Sequence, residues 1–289
     1  MGVFLNELFI GLSLASILLM VALGLAIIYG AMGVINLAHG QFVMLGAYGA
    51  WLVQSTMGLS LFVAIPLVFI AVALIGAFVE RAVVHRLYRR PLDTILATWG
   101  IGIVIEQLVR LGLSSDARYV ARPEFLDFGF EVAGAYVASY RLFIILFSLA
   151  MLLATWLVIY RTEFGMRLRA MVQNPEISRC YGISSRHVYA LTFAYGAGLA
   201  GVAGALVSPL VSVTPTMGGS FVVDAFLVVI VGGVGSLLGA SASALMIGEA
   251  SAWLSFLFNE TTGRILILLA VVVFIRFRPE GMFPVKVRR

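Results

Sequence analysis

Residues 30–48 read GAMGVINLAHGQFVMLGAY and place three polar side chains among glycines, between two long apolar runs. Asn36, His39 and Gln41 are the polar residues, and the glycines stand at 30, 33, 40 and 46. Whether a chain tolerates such a stretch depends on the solvent that surrounds the flanking runs. The composition of the rest of the chain identifies that solvent.

The chain as a whole is too apolar for a globule in water. Of its 289 residues, 62% are hydrophobic and 11% are charged, and the mean hydropathy is +1.06. A soluble domain carries roughly 25% charged residues, so too little polar surface remains to cover one here. We therefore predict an all-α polytopic membrane protein, with residues 1–289 forming a single transmembrane domain.

The net charge of +5 does not indicate nucleic acid. Basic residues of membrane proteins collect in cytoplasmic loops, and no basic run here has the length or aromatic interleaving of a nucleic-acid surface. The single cysteine, Cys180, excludes an intramolecular disulfide.

Apolar runs predict about eight to nine membrane segments. About 20 apolar residues span a bilayer as a helix. Long runs occupy 8–29, 61–79, 94–113, 142–160, 188–209, 238–257 and 263–277. Two shorter runs, 42–53 and 221–231, adjoin glycine-rich polar stretches and predict short or broken helices.

Basic residues set the predicted orientation. Fourteen of the nineteen lie on one side if all nine segments cross: Arg81, Arg86, Arg89, Arg90, Arg161, Arg167, Arg169, Arg179, Arg186, Arg276, Arg278, Lys286, Arg288 and Arg289. The positive-inside rule then places the N-terminus outside and the C-terminus in the cytoplasm. Residues 114–141 become a compact external cap and residues 161–187 a cytoplasmic loop.

The opening stretch now has two interpretations. Polar groups in hydrocarbon are tolerated only where protein or a watery cavity satisfies them. Asn36, His39 and Gln41 therefore either line a crevice near the cytoplasmic end of a pathway or brace a broken helix. A metal site is not expected, because His39 has no second His or Cys at ligand spacing.

Other polar groups inside the membrane segments are functional candidates or bundle contacts. Glu106 and Arg110 are four residues apart on one helix face, which predicts that they pair. Asp224 is expected at the outer entrance, where it binds backbone or a polar solute, and Glu249 should face protein. Thr98 either contributes to the path or joins helices.

Small residues let membrane helices approach closely. The stretch 194–206, AYGAGLAGVAGAL, predicts a close-packing face in the bundle or against a second subunit. Further helix packing is predicted at Gly33, Gly40, Gly232, Gly233 and Gly235.

Residues 161–189 contain a short helix with its own start and stop signals. Asn174 suits an N-cap, Pro175 the first helical position and Glu176 the positive helix end. Gly182 fits the left-handed residue that ends a helix, giving about seven helical residues. The spacing from Glu176 to Gly182 resembles the E-A-A-x-x-x-G loop by which ABC-importer permeases dock onto their ATPases. The alternative is an ordinary capped connector.

Four stretches, in order along the chain, carry a wider resemblance: INLAHGQFVMLGAY, RTEFGMRLRAMVQNPEISRCYGI, DAFLVVIVGGVGSLLGA and RPEGMF. They resemble the permease family of the branched-chain amino acid importers and the related urea and short-chain amide importers. FVVDAFLVVIVGGVG, SYRLFII and GRILILLAVVVFIRFRPEGMFP look closer to the urea-type permease. The loop before SYRLFII shows no feature that identifies the solute.

The resemblance implies a permease subunit of an ATP-driven importer in the bacterial inner membrane, with a second homologous permease, two ABC ATPases and a solute-binding protein as partners. ATP would be bound by the ATPases, so no cofactor is expected in this chain. The ATPase contacts would come from Glu176, Ile177, Arg179, Tyr181 and Gly182. The translocation path for a small polar solute would include Asn36, His39, Gln41, Thr98 and Asp224.

Two other classes of protein compete with this interpretation. A self-sufficient secondary transporter or channel needs coupling groups at mid-membrane, and Glu249 is weak evidence for them by itself. This interpretation also leaves the capped helix unexplained. An intramembrane enzyme is disfavoured, because the sequence offers no pair of catalytic aspartates, no H-E-x-x-H motif and no arranged serine and histidine.

Overall fold

A computed structural model describes residues 2–88, 90–132 and 135–283. Its helices are α1 (Gly2–Met32), α2 (His39–Met57), α3 (Leu61–Ala82), α4 (Pro91–Leu113), α5 (Ser139–Arg161), α6 (Glu163–Gln173), α7 (Pro175–Cys180), α8 (Ser185–Val207), α9 (Met217–Gly232), α10 (Leu237–Leu257) and α11 (Glu260–Phe277). Two strands, β1 (Gly129–Val132) and β2 (Ala135–Ala138), form an antiparallel hairpin. Four basic residues of the orientation argument, Arg89, Lys286, Arg288 and Arg289, lie outside the described residues.

The apolar helices confirm an all-α polytopic membrane protein. Six are long and apolar enough to cross a membrane, namely α1, α3, α4, α5, α8 and α10, and α9 is a shorter apolar helix. With α2 and α11, they coincide with the nine predicted segments. Most helices are longer than the apolar runs that predicted them, because polar and small residues at the ends continue the helical hydrogen bonding.

Helices α1 and α8 form the centre of the bundle. Their spans are the most buried of the six, and α8 packs against α1, α2 and α3 while α1 also packs against α5, α9 and α10. Helices α4 and α5 are the least buried spans and expose apolar side chains along their length. These two helices therefore face lipid or another membrane subunit.

Glycines allow α8 to touch its neighbours backbone to backbone. A Cβ at Gly204 would overlap the Val43 carbonyl of α2, and a Cβ at Gly46 would overlap the Gly201 carbonyl of α8. A Cβ at Gly196 would lie 2.6 Å from the Gly24 carbonyl oxygen of α1. The predicted close-packing face is confirmed, and it serves contacts within this chain.

Helix α2 begins inside the bundle. The His39 ring at its start bonds through Nε2 to the Val21 carbonyl at 3.0 Å. Val21 lies roughly 16 Å before the end of α1 at 1.5 Å per residue, so residues 33–38 turn back alongside that helix. Gly33 makes this reversal with a φ of 65° and a hydrogen bond to the Tyr29 carbonyl.

The first turns of α2 and α9 meet inside the bundle. A Cβ at Gly40 would overlap the Gly218 carbonyl, and Val222 of α9 also lies against Gly40. The stretch that faces GVINLAHG across the bundle is thus VTPTMGGS, residues 213–220. The glycine-rich VGGVGS turn after α9 instead contacts the end of α1, where Gly30 lies against Gly235.

The connection between α4 and α5 folds onto one end of the bundle, which we call the hairpin end. The Arg118 backbone forms an antiparallel bridge with Val213, and the Gln54 amide bonds both backbone groups of Ala121. The described residues of the predicted cap thus contact this end of the bundle, and α5 begins at Ser139, inside the predicted loop 114–141. The β-hairpin was not predicted.

The opposite end, which carries α6 and α7, we call the α7 end. There residues 281–283 form a strap across the last turn of α9: Met282 N–H donates to the Val231 carbonyl at 2.8 Å and Phe283 N–H to the Gly232 carbonyl at 3.0 Å. These bonds satisfy helix-terminal carbonyls that have no partner within α9. The strap therefore fixes the C-terminal end of α9.

We predict that Gly281→Ala lowers the stability of the protein by about 2 kcal/mol or more. Gly281 has a φ of 82°, and a Cβ there would lie 2.5 Å from the Gly233 Cα. The midpoint of thermal unfolding in detergent measures the effect. Gly112→Ala, in a helical position with no atom within 4 Å of its Cβ, is the matched control; equal midpoints for both variants would contradict the role of the strap.

Candidate functional site

Asn36 and Thr98 satisfy the broken backbone before α2. The Asn36 Oδ1 accepts from the Ala38 N–H at 3.0 Å, and the Thr98 Oγ1 accepts from the Leu37 N–H at 3.1 Å. Both side chains are fully buried. The segment 33–38 is not helical, so its backbone groups lack the partners that a helix would provide. Thr98 of α4 supplies one of them, because backbone groups inside a membrane must be hydrogen-bonded.

His39 joins the start of α2 to the middle of α1. The ring is fully buried, bonds to Val21 through Nε2, and packs edge-on against Phe42. Its Nδ1 has no hydrogen-bond partner among the described residues. This geometry favours the bracing interpretation for His39 over direct contact with a solute.

Gln41 leads from the start of α2 to a charged pair on α4. Its Nε2 donates to Glu106 Oε2 at 3.5 Å, and Arg110 Nη2 donates to Glu106 Oε1 at 2.7 Å. The pairing predicted for Glu106 and Arg110 is confirmed. The Gln41 Oε1 is buried without a partner among the described residues and lies beside Gly218 of α9. These three side chains, which we call the polar chain, start where α2 and α9 meet.

We predict that a double-mutant cycle on Glu106 and Arg110 gives an interaction free energy of the order of 1 kcal/mol. The Arg110 side chain is 35% exposed, which keeps this figure modest. Thermal midpoints of Glu106→Ala, Arg110→Ala and the double variant would measure the coupling. Strict additivity of the two single changes would contradict it.

Among the described residues, Asp224 forms no hydrogen bond or ion pair with the polar chain. Its carboxylate instead pairs with Arg264 of α11 at 3.0 Å. Glu249 of α10 lies against Gly11 of α1, and neither of its oxygens has a partner among the described residues. The expectation that Glu249 faces protein is confirmed.

The glycines predicted to pack helices take two different roles. Gly40 and Gly232 allow backbone contacts, with Gly218 and Gly239 respectively. The other three have positive φ values and serve chain reversal: Gly33 at 65°, Gly233 at 100° and Gly235 at 75°. A Cβ at Gly33 would meet no atom within 4 Å, so its requirement is conformational and not one of packing.

The capped helix predicted after Asn174 is confirmed as α7. The Asn174 Oδ1 accepts from the N–H groups of Glu176 and Ile177 at 3.1 and 3.0 Å, and Gly182 takes a φ of 80°. A helix this short is marginal alone, and α7 packs against α6.

The candidate ATPase contacts stand free of the bundle. Glu176, Arg179 and Gly182 are exposed, Ile177 is 55% exposed and Tyr181 is 84% exposed. Two large apolar side chains exposed on a capped turn form a surface that another protein could cover.

A buried carboxylate near the α7 end was missed by sequence reasoning. Glu80 of α3 is fully buried, and the Tyr88 hydroxyl donates to it. Burial is the largest cause that raises the pKa of Tyr88, and this hydrogen bond is the next largest. The Tyr88 hydroxyl therefore stays protonated and donates to Glu80. Tyr88 also packs edge-on against Tyr189 of α8. The only sequence signal was an acidic residue at the end of an apolar run.

The described residues contain no group of three His, Cys, Asp or Glu side chains that could hold a metal ion. The polar chain offers hydrogen-bonding groups and charges. Such groups can bind and pass a polar molecule.

Comparison with known proteins identifies related chains. The model of a family described as branched-chain amino acid transport system, permease component, matches residues 7–275. The chain is 28% identical to the high-affinity branched-chain amino acid transport system permease protein BraD of Pseudomonas aeruginosa, covering 96% of this chain and 95% of BraD. It is also 28% identical to LivH of Escherichia coli, with 96% of each chain covered.

A second kind of relative is LivM of Escherichia coli, which also bears the name of a branched-chain amino acid permease. It is 26% identical, over 94% of this chain and 69% of LivM. No solved structure matches the chain.

Proposed function

Because the chain belongs to the permease family of branched-chain amino acid transport systems, and is a transport subunit of an ABC importer and not an enzyme, we propose that its solute passes the meeting point of α2 and α9. The observation that carries this proposal is the polar chain Gln41–Glu106–Arg110, which starts at that point. Asn36, His39 and Thr98 support the path by holding the start of α2 in place.

The meeting point suits a polar solute for two reasons. Helix N-termini present partial positive charge, and α2 and α9 direct two of them to one place. Gln41 adds an amide oxygen without a partner among the described residues. Exposed Gly219 and Ser220 of α9 leave room for a solute beside Gln41.

The first candidate solute is a branched-chain amino acid. The relatives carry that solute in their names, and the polar chain offers a carboxylate and a guanidinium for the two charges of an amino acid. Asp224 of α9 pairs with Arg264 of α11 and is a separate candidate for contact with the solute.

The second candidate is urea or a short-chain amide. The groups nearest the start of α2 are neutral, namely the amides of Asn36 and Gln41 and the hydroxyl of Thr98, and neutral partners suffice for a neutral solute. The resemblance of FVVDAFLVVIVGGVG to the urea-type permease supports the same branch.

The chain would work within a larger assembly in the bacterial inner membrane. A second homologous permease, of the kind that LivM represents, would cover part of the exposed apolar surface of α4 and α5. Of two ATPases in the assembly, one would dock at α7 of this chain through Glu176, Ile177, Arg179, Tyr181 and Gly182. The ATPases would bind the ATP, so this chain needs no cofactor. A solute-binding protein would deliver solute to the hairpin end, with the N-terminus outside and the C-terminus in the cytoplasm.

Uptake into vesicles tests this function. The chain is reconstituted with its second permease, ATPases and binding protein, and labelled leucine and labelled urea are compared with and without ATP. ATP-dependent uptake of leucine supports the first candidate, and ATP-dependent uptake of urea alone supports the second. Uptake without ATPases would refute the assignment of this chain to an ATP-driven path and favour a secondary transporter or channel.

A further inference from the structure

We propose that Arg118 and Tyr48 form an entrance site for the carboxylate of the solute at the hairpin end. This inference rests on the proposed function and narrows it to a carboxylate-bearing solute. Neither side chain was among the residues predicted for the translocation path.

Tyr48 lies on the face of α2 that leads to the polar chain. It follows Gln41 by seven residues, which places the two side chains on one side of the helix, two turns apart. Tyr48 is 1% exposed, and its hydroxyl has no hydrogen-bond partner among the described residues. A buried hydroxyl without a partner is costly, so a group that is absent from the free chain is expected to bond it.

Arg118 and Tyr48 both lie against the Trp51 ring. The backbone N–H of Arg118 donates to the Val213 carbonyl, and the Arg118 carbonyl accepts from the Val213 N–H. The Arg118 Nη2 donates to the Leu113 carbonyl at 3.1 Å, and its guanidinium lies 4.7 Å from the centre of the Trp51 ring. The Trp51 ring in turn meets Tyr48 edge-on, with 6.5 Å between ring centres.

The charge of Arg118 is not compensated within the described part of the chain. Neighbouring arginines have acidic partners there: Arg110 has Glu106 at 2.7 Å, and Arg122 has Asp127 at 3.8 Å. Arg118 has no such partner among the described residues, and its Nε is buried without a hydrogen bond. A guanidinium offers a planar set of donors that fits a carboxylate, and such charge-assisted bonds are stronger than neutral ones.

These groups form a route from the hairpin end inwards. A carboxylate would first meet Arg118 and the Tyr48 hydroxyl, and then Arg110, the next guanidinium along the same seam between α2 and α4. Glu106, bonded to Arg110 and Gln41, is placed to accept the ammonium group that follows. The order of charges along the seam fits a zwitterion and gives no advantage to urea.

The test measures leucine uptake by the reconstituted importer with Arg118→Gln, Tyr48→Phe and the matched control Arg122→Gln. We expect Arg118→Gln to reduce leucine uptake at subsaturating concentration by roughly tenfold or more, as the loss of a charge-assisted bond implies. Tyr48→Phe should reduce it by a smaller factor of about three to ten, as for a neutral bond. Arg122→Gln should match the wild type.

The outcomes separate the site from the function. If wild-type protein takes up leucine and Arg118→Gln does so equally well, the entrance site is refuted and the proposed function stands. If wild-type protein takes up urea and not leucine, the inference is refuted and the second candidate solute holds. Should Arg118→Gln fail to assemble, Tyr48→Phe decides, because it removes a single oxygen; unchanged leucine uptake by that variant refutes the site.

Discussion

The double variant Glu176→Ala, Gly182→Leu is expected to lose ATP-dependent uptake and to remain in the membrane at the wild-type level. Gly182 ends α7 with a φ of 80°, a conformation that costs a leucine about 1–2 kcal/mol. Glu176 is exposed at the start of the helix and forms no ion pair with any described residue. The changes therefore disturb the surface offered to a partner and leave the bundle intact.

Uptake and membrane abundance are measured on the same vesicles. Glu163→Ala is the matched control, because Glu163 is also an exposed acid in the first turn of a short helix at the α7 end, where it pairs with Arg167 at 3.0 Å. Uptake should be near background in the double variant and near wild type in the control. Normal uptake by the double variant would refute docking at α7.

Gly46→Ala is expected to destabilise the protein by about 3 kcal/mol or more. The added methyl would overlap the Gly201 carbonyl, which is backbone of α8 and cannot move aside without shifting the helix at the centre of the bundle. Helix propensity acts in the opposite direction, since Ala favours a helix over Gly by about 1 kcal/mol. A net loss would therefore come from packing alone.

Gly100→Ala in α4 is the control for that change. A Cβ at Gly100 meets no atom within 4 Å, so the propensity gain should appear without a packing cost. Thermal unfolding in detergent should give a lower midpoint for Gly46→Ala and an unchanged or higher one for Gly100→Ala. Similar midpoints for the two variants would contradict the backbone contact between α2 and α8.

Local sequence signals predicted the elements of the fold well. Apolar length located nine helices, because burying such runs in lipid dominates their energetics. The start and stop of α7 follow from Asn174 and Gly182, and the Glu106–Arg110 pair follows from their spacing on one helix. Each of these depends on residues that are neighbours in the chain.

Contacts between distant residues could not be predicted. The meeting of Gly40 with Gly218 and the strap of residues 281–283 on α9 join segments far apart in sequence, and glycine carries no pattern that names its partner. Glu80 was indistinguishable from a polar residue at the end of a helix. Arg118, in the connection between α4 and α5, gave no signal because its ring partner, Trp51, lies far away in sequence, in α2.

The three polar residues of the opening stretch have different roles, which depend on where each side chain points and not on its residue type. Asn36 and His39 are fully buried and bonded to backbone, so they account for how α2 starts inside the bundle. Gln41 alone reaches towards the charged pair. The sequence left both roles open for all three residues, because the direction of each side chain depends on where α1 and α4 lie.

The position of the path is tested most directly by cysteine labelling at the meeting point of α2 and α9. Cys180 is the single cysteine, so Cys180→Ser provides a chain free of thiols. Into it are introduced Ser220→Cys on α9, and Leu268→Cys on the exposed apolar face of α11 as the control. We predict that a small water-soluble thiol reagent labels position 220 and that saturating solute slows this labelling several-fold, without affecting position 268. Labelling at position 220 that is absent, or unchanged by every candidate solute, would contradict the proposed path.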